Sequence, residues 1–244
     1  MICKNCQHEG DYKYCSNCGQ KMDVPRITLG LFLAQTIAAV FELEGSLWNT
    51  AKLLVLSPGV SIRSYVEGRR KYMFNAGKLL LIVGAISALV VSQFRSVTEI
   101  TERHFPKLIE DLGFDTQGYF LHGEENITLV NVLTIPVFAF FTWLIFRRGY
   151  NYAENLVLNT YITSVQLALY SILAPFLVLM PSAHDGIIGV YSVGILLYNV
   201  WVVLTFFDQI NLVGILKMTI VLVLSFIFQF VLNYPAFLLL QSLG

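Results

Sequence analysis

The sequence predicts an all-α polytopic membrane protein: five transmembrane helices behind a small cysteine-rich N-terminal module and interfacial amphipathic helices. Three observations predict it. The chain of 244 residues is 56% hydrophobic and 13% charged, with mean hydropathy +0.65. Long apolar runs recur from residue 79 onward, and all four cysteines lie between Cys3 and Cys18. A soluble domain averages roughly 45–50% apolar and about 25% charged residues. This chain therefore lacks the polar surface a water-facing exterior needs, and lipid is its expected solvent. The formal net charge is zero, which gives no global signal for nucleic acid.

The first element is a module over residues 1–24. Cys3 and Cys6 form one Cys-x-x-Cys pair, and Cys15 and Cys18 a second, on a short connection. Two such pairs at this spacing are a zinc-site pattern, because Zn²⁺ takes four thiolates in a tetrahedron. Gly19 suits the turn after the second pair, since glycine tolerates positive φ; Gln7 in the matching place is a poorer turn residue. So short a module cannot bury a core, and chains below about 40 residues usually need metal or disulfides. The competing readings are a disulfide pair or a redox Cys-x-x-Cys. A closed four-thiolate site in surroundings unlike thioredoxin favours structural zinc. His8 is an alternative ligand, but the four cysteines already complete the set. The chain opens polar, with no apolar h-region. The module is thus expected in the cytosol, where thiols stay reduced.

Residues 25–78 form the second element. Leu29, Leu31, Phe32, Leu33, Ile37, Val40 and Phe41 recur at helical spacing; Glu42 and Glu44 interrupt, and Leu47, Trp48, Ala51, Leu54 and Val55 resume it as far as Ser57 and Pro58. Neither run reaches the ~20 apolar residues of a span. They read as two amphipathic helices at the membrane surface, or as helices packed on the bundle. The cations Arg63, Arg69, Arg70, Lys71 and Lys78 then precede the first span. They are expected at anionic headgroups, at up to about 1 kcal/mol each; the alternative is a topology signal with no specific ligand.

Residues 79–244 supply the spans, read as Leu79–Phe94, Leu129–Phe146, Leu156–Met180, Ile187–Phe207 and Leu212 to about Leu232. A barrel would show alternating ~10-residue segments instead. Lys and Arg set the orientation. The basic stretch, Arg147, Arg148 and Lys217 fall on one side if the N-terminus is cytosolic, leaving the acidic loop 95–128 and the C-terminus external. This is the layout expected of a bacterial inner-membrane protein.

Polar residues near or within the spans are the remaining candidates: Glu154, Asn159, Gln166 and Asn199, with Asn131 and Gln229. Asn and Gln in lipid commonly bond helix to helix. Glu154 is placed to pair with Arg147 and Arg148, and Pro136 and Pro175 interrupt helical bonding. His104 and His122 share the acidic loop with Glu102, Glu124 and Glu125, a weak second metal candidate. The chain holds no His-Glu-x-x-His, no Gly-x-Ser-x-Gly and no phosphate-binding glycine loop. In the ribbon Lys4, Lys13 and Lys21 are offset by Glu9, Asp11 and Asp23, so no basic face for nucleic acid arises.

Three runs carry a resemblance: Tyr14–Lys21 with Cys15, Cys18, Gly19 and Gln20; Ser57, Pro58 and Gly59 followed by Arg63, Tyr65, Glu67, Gly68, Arg69 and Arg70; and Tyr152–Val157. Together they resemble an uncharacterised bacterial membrane family, a domain of unknown function, over about residues 1–165. The family pattern has Pro where this chain has Ala76. The five-span layout is also similar to the Yip family of trafficking proteins. Neither resemblance implies an enzymatic activity. The expected role is a non-enzymatic interaction, scaffold or accessory protein, with membrane lipids and a protein partner or second copy as partners. The alternative is a small transporter, channel or lipid-handling protein.

Overall fold

The structure, a computed structural model, describes residues 1–39, 47–93, 127–147 and 149–243. Its regular elements are helical: α1 (Leu29–Ala39), α2 (Leu47–Leu56), α3 (Pro58–Val66), α4 (Ala76–Gln93), α5 (Ile127–Phe146), α6 (Tyr152–Leu179), α7 (His184–Phe207) and α8 (Leu212–Leu243), with a 3₁₀ turn at Pro181–Ala183. Among the described residues there is no strand, only two isolated bridges, Ile2 with Glu9 and Tyr14 with Lys21. The weak metal candidate at His104 and His122, and the acidic loop around it, lie outside the described residues.

Among the described residues, four helices are long and apolar enough to cross a membrane: Ala76–Gln93, Tyr152–Leu177, Gly186–Phe207 and Leu212–Gln229. The expectation of five is corrected to four among the described residues. In the second predicted span the described apolar stretch is Val130–Phe146. The whole of α5 has 20 residues, about 30 Å at 1.5 Å per residue, and the described apolar stretch is its larger part.

The fold is built around α6. Helices α4 and α5 pack along it, α8 lies on α5 and α7, and α3 lies on α7. Every residue from Ala153 to Ser164 is buried, so the first turns of α6 are enclosed on all sides. Tyr161, fully buried, donates from its hydroxyl to the Phe74 carbonyl at 2.5 Å. The Tyr65 ring meets it edge-on, with centroids 5.5 Å apart. Phe146 and Phe207 stack at 4.5 Å where α5 and α7 end. Lys217, near the start of α8, lies 5.7 Å over the Phe146 ring. The starts of α4, α6 and α8 and the ends of α5 and α7 thus meet at one end of the bundle, and the cysteine module sits there too.

Helices α1 and α2 fall within the two runs that helical spacing marks. α1 packs on α4 and α6; α2 buries Thr50 and Leu54 and leaves Trp48 84% exposed. Helix α3 was not expected. Pro58 opens it at the first helical position, where a missing N–H costs nothing, so Ser57 and Pro58 begin a helix rather than ending one. Gly59 lies against the α7 backbone. A Cβ there would meet the Thr205 hydroxyl and Val202 carbonyl and stand 2.6 Å from the Phe206 nitrogen. Backbone cannot move aside as a side-chain tip can. Gly59→Ala is expected to destabilise the fold by roughly 1–3 kcal/mol, seen as a lower thermal midpoint in detergent. Gly30→Ala, whose Cβ meets nothing within 4 Å, should leave the midpoint unchanged or raise it.

Candidate metal centre and the junction beneath it

The two Cys-x-x-Cys turns have the same backbone plan. In the first, Gln7 N–H donates to the Cys3 carbonyl at 2.9 Å and Cys3 N–H to the His8 carbonyl at 3.0 Å. In the second, Gly19 N–H donates to the Cys15 carbonyl and Cys15 N–H to the Gln20 carbonyl, both at 2.8 Å. Both turns close through a left-handed residue, Gly19 at φ 71° and Gln7 at φ 61°. For Gln7 this conformation costs about 1–2 kcal/mol, a cost the rest of the turn must hold in place.

These turns bring the four Sγ atoms of Cys3, Cys6, Cys15 and Cys18 within 4.8 Å of one another. Cys3 and Cys18 stand 3.6 Å apart, and Cys6 and Cys15 3.5 Å. Ligands at ~2.3 Å from a tetrahedral ion stand about 3.8 Å from each other, so the donor set fits a closed four-thiolate centre. None of the four is in a disulfide. They could hold a metal ion, with Cys3 and Cys15 buried against Met22 as a miniature core. His8 is exposed and bonds Ser16 Oγ at 3.1 Å, so it is no part of the set.

The module is fastened to the helical bundle by Gln20, which closely follows the second cysteine turn. Its side chain is buried at 6% exposure. Nε2 donates to the Gly68 carbonyl at 2.9 Å, and Oε1 accepts from the Arg70 and Lys71 amides at 3.0 and 3.1 Å. One amide side chain therefore reads three backbone groups of the turn between α3 and α4. Since the Gln20 carbonyl is held by Cys15 N–H, the thiolate centre and this turn are linked through a single residue.

A second fastening lies beside it. Glu154, 3% exposed, closes the capping box of α6: its amide is accepted by the Asn151 side chain at 2.9 Å, and its Oε2 accepts from Asn151 N–H at 2.7 Å. Arg26 approaches bidentately, with Nε 2.7 Å from Oε1 and Nη2 2.8 Å from Oε2. That bond, and then the carboxylate's charge, raises the Arg26 guanidinium above its ordinary value. Arg26 Nη2 also reaches the Gly149 carbonyl, and Asn151 Nδ2 donates to the Ile27 carbonyl at 2.9 Å. The linker between module and α1 is thus pinned to the start of α6. Nearby, Tyr150 donates to Glu67 at 3.1 Å. Burial and the Glu67 charge push its phenol up to about 12, so it remains a donor at neutral pH.

The expected headgroup cations divide. Arg69 and Lys71 are exposed. Arg63 donates to the Thr205 carbonyl at 2.6 Å, and Arg70 to the Tyr65 and Pro25 carbonyls. Lys78 is buried at 5% exposure, 5.0 Å over the Phe74 ring. Glu154 pairs with Arg26 rather than with Arg147, which bonds its own helix at the Leu144 carbonyl. Within the bundle, Asn159 Nδ2 donates to Thr142 Oγ1 at 3.2 Å, and Gln166 Nε2 to Asn199 Oδ1 at 3.0 Å. Sequence reasoning missed Arg26 and Gln20. For Glu154 a signal existed: Asn151 followed three residues on by Glu154 is a capping-box pattern.

Residues 44–88 match the family described as "Protein of unknown function (DUF3667)". The match covers α2, α3, the turn that receives Gln20 and the first part of α4. No curated protein and no solved structure matches the chain.

Two outcomes are expected. Gln20→Ala orphans one carbonyl and two amides and should loosen the module by roughly 1–3 kcal/mol. Limited proteolysis then cuts between Met22 and Thr28 faster than in the wild type, while metal content is retained. Arg26→Met leaves the Glu154 carboxylate buried without its cation and should cost on the order of 3 kcal/mol. Glu154→Gln keeps the cap and should cost less, the order being read from detergent unfolding midpoints.

Proposed function

We propose that the chain is a non-enzymatic integral membrane protein that acts as an interaction, scaffold or accessory subunit, holding a structural zinc ribbon at the cytosolic face of a bacterial inner membrane. The observation that carries this reading is the Gln20 clamp. A module tethered only by its chain would be a loose appendage; this one is held in a fixed pose on the membrane domain. Zinc suits four thiolates in a tetrahedron better than metals preferring oxygen ligands. The ribbon's outer surface carries Ile2, Tyr12 and Tyr14 at 62%, 73% and 55% exposure. Tyrosines left exposed on a rigid support are favourable contact residues for a partner.

The sidedness rests on charge. Lys4, Arg26, Arg63, Arg69, Arg70, Lys71 and Arg147 all belong to the ribbon end, which under the positive-inside rule faces the cytosol. Helix α8 starts at that end and runs away from it, which supports an external C-terminus.

A second reading is favoured by one feature. A groove of about 1010 Å³ opens between α6 and α7, with Leu169, Ile172, Phe176, Ile187 and Val190 among its walls. Such a lining suits acyl chains and keeps a lipid-handling role in view.

The test is metal analysis with native mass spectrometry of detergent-purified protein, wild type beside Cys15→Ser/Cys18→Ser. One zinc per chain, lost in the variant together with a bound protein partner, is the expected result. Zinc lost while the partner stays would make the ribbon purely structural. A monomer carrying only lipid, with no partner by crosslinking in cells, would sink the interaction reading in favour of lipid handling.

A further inference from the structure

A cleft of about 310 Å³ lies where the ribbon meets the membrane domain, and Lys4, Arg26, Arg70, Glu67, Glu154 and Tyr150 are among its walls. Lys4 comes from the ribbon, between Cys3 and Cys6; the others come from the linker, the α3–α4 turn and the start of α6.

The charges in this cleft do not balance. Three cations face two carboxylates, a formal excess of one positive charge. Both carboxylates are already engaged: Glu154 by Arg26 and the Asn151 amide, Glu67 by the Tyr150 hydroxyl. Among the described residues neither Arg70 nor Lys4 has a carboxylate within salt-bridge distance, although the Glu154 charge reaches Arg70. Arg70 is half-buried and bonds only the carbonyls of Tyr65 and Pro25, with the Tyr65 ring 5.7 Å beneath it. Lys4 bonds only the Val24 carbonyl, at 2.9 Å. Carbonyls orient a cation without neutralising it. A guanidinium taken partly out of water without a counterion is costly, and burial pulls Arg70 below its ordinary value.

The donor geometry is equally incomplete. Arg26 and Arg70 make their bonds through Nε and Nη2, which leaves Nη1 of each without an acceptor among the described residues. Lys4 Nζ commits one of its three protons. The cleft therefore combines surplus positive charge with unspent N–H donors on three side chains. An acceptor-only group with several oxygens and net negative charge satisfies both needs, and a phosphate is such a group. A carboxylate would duplicate the role Glu154 already fills for Arg26.

We propose that this cleft binds a phosphate group, presented by an anionic phospholipid headgroup or by a free phosphate, with Lys4, Arg26 and Arg70 as its ligands. The ribbon closes one wall of the site. Gly68 lies so near Lys4 that a Cβ would stand 2.7 Å from Lys4 Cδ. Because Lys4 sits within the first cysteine turn, between Cys3 and Cys6, the fold of that turn sets where its amine points. The proposal goes beyond the docking role of the ribbon and does not rest on it.

The test uses full-length, detergent-purified protein with its metal content verified. Dihexanoyl phosphatidate and inorganic phosphate are titrated separately by calorimetry, with dihexanoyl phosphatidylcholine as the zwitterionic control. Saturable binding is expected, weakened about tenfold by Lys4→Gln and by Arg70→Gln, weakened by salt, and unchanged by Lys52→Gln on the exposed side of α2. Lys4 is exposed and makes one hydrogen bond, so its variant keeps the fold, as the unfolding midpoint will verify. Phosphatidate binding that inorganic phosphate does not displace assigns the site to a headgroup; displacement assigns it to free phosphate esters. Two results overturn the proposal: no saturable binding of either probe, or wild-type affinity in both Lys4→Gln and Arg70→Gln with metal retained.

Discussion

A carboxylate buried at the first turn of the most enclosed helix sets the constraint around which the ribbon end is built. Glu154 is 3% exposed, and an ionised carboxylate in such a place must be paired and hydrogen-bonded or the fold loses several kcal/mol. Three hydrogen bonds from two residues meet that demand. Asn151 supplies its amide, and Arg26 supplies both a fork of donors and a full charge. Arg26 can do so only if the linker is laid across the start of α6, where Asn151 Nδ2 also holds the Ile27 carbonyl. The route of the chain from ribbon to α1 is thus dictated by the need to neutralise one acid. A negative charge at a helix N-terminus is favourable in its own right through the helix dipole, so cap and counterion act in the same sense.

With the linker fixed, the ribbon has little freedom left. Four thiolates around a metal can fold so short a module without help from the rest of the chain, yet they do not say where it sits. That is decided by Gln20, whose amide matches one carbonyl and two amides of the α3–α4 turn. The turn is itself held from below: Thr50 Oγ1 accepts from Phe74 N–H at 2.7 Å, and the Phe74 carbonyl accepts from Tyr161. A continuous chain of hydrogen bonds and packed rings therefore runs from the cysteine turns, through the family-matched segment, into the core of the bundle.

How much of this was legible follows from the range of the interactions. The cysteine pairs, α1, α2 and four long apolar helices are local patterns, and each occurs where spacing and hydropathy placed it. Glu154 was singled out, but its expected partners were the cations nearest in sequence. Arg26 lies far away in sequence, and no local rule connects it to Glu154. Gln20 is silent for the same reason: a polar residue next to a cysteine turn looks solvated until the turn it bonds is in view. Lys78 was grouped with the headgroup cations because it follows a basic run; the helix starts two residues earlier, at Ala76, and carries it inward over Phe74. Of the five expected spans, four are long and apolar enough among the described residues, and α3 was missed because Pro58 was read as a stop.

The polar groups inside the bundle argue for a fastened structure. Asn159 ties α6 to α5 through Thr142, and Gln166 ties α6 to α7 through Asn199. Tyr191 and Tyr198 add bonds from α7, to the Gln166 carbonyl and to the Leu54 carbonyl of α2. Thr160 and Ser164 return their hydroxyls to carbonyls four residues back on α6 itself. A path for solute needs polar atoms that face a shared space and remain available to it. Here most of these groups are committed to a neighbouring helix, and the buried ones left unmatched on the long helices, Asn155 Oδ1, Ser225 Oγ and Gln229 Nε2, are distributed over α6 and α8. Each such bond contributes only about 0.6 kcal/mol in lipid, but together they fix the rotation of α5 and α7 about α6. That rotation keeps the ends of those helices, and the rings of Phe146 and Phe207, under the turn on which the ribbon rests.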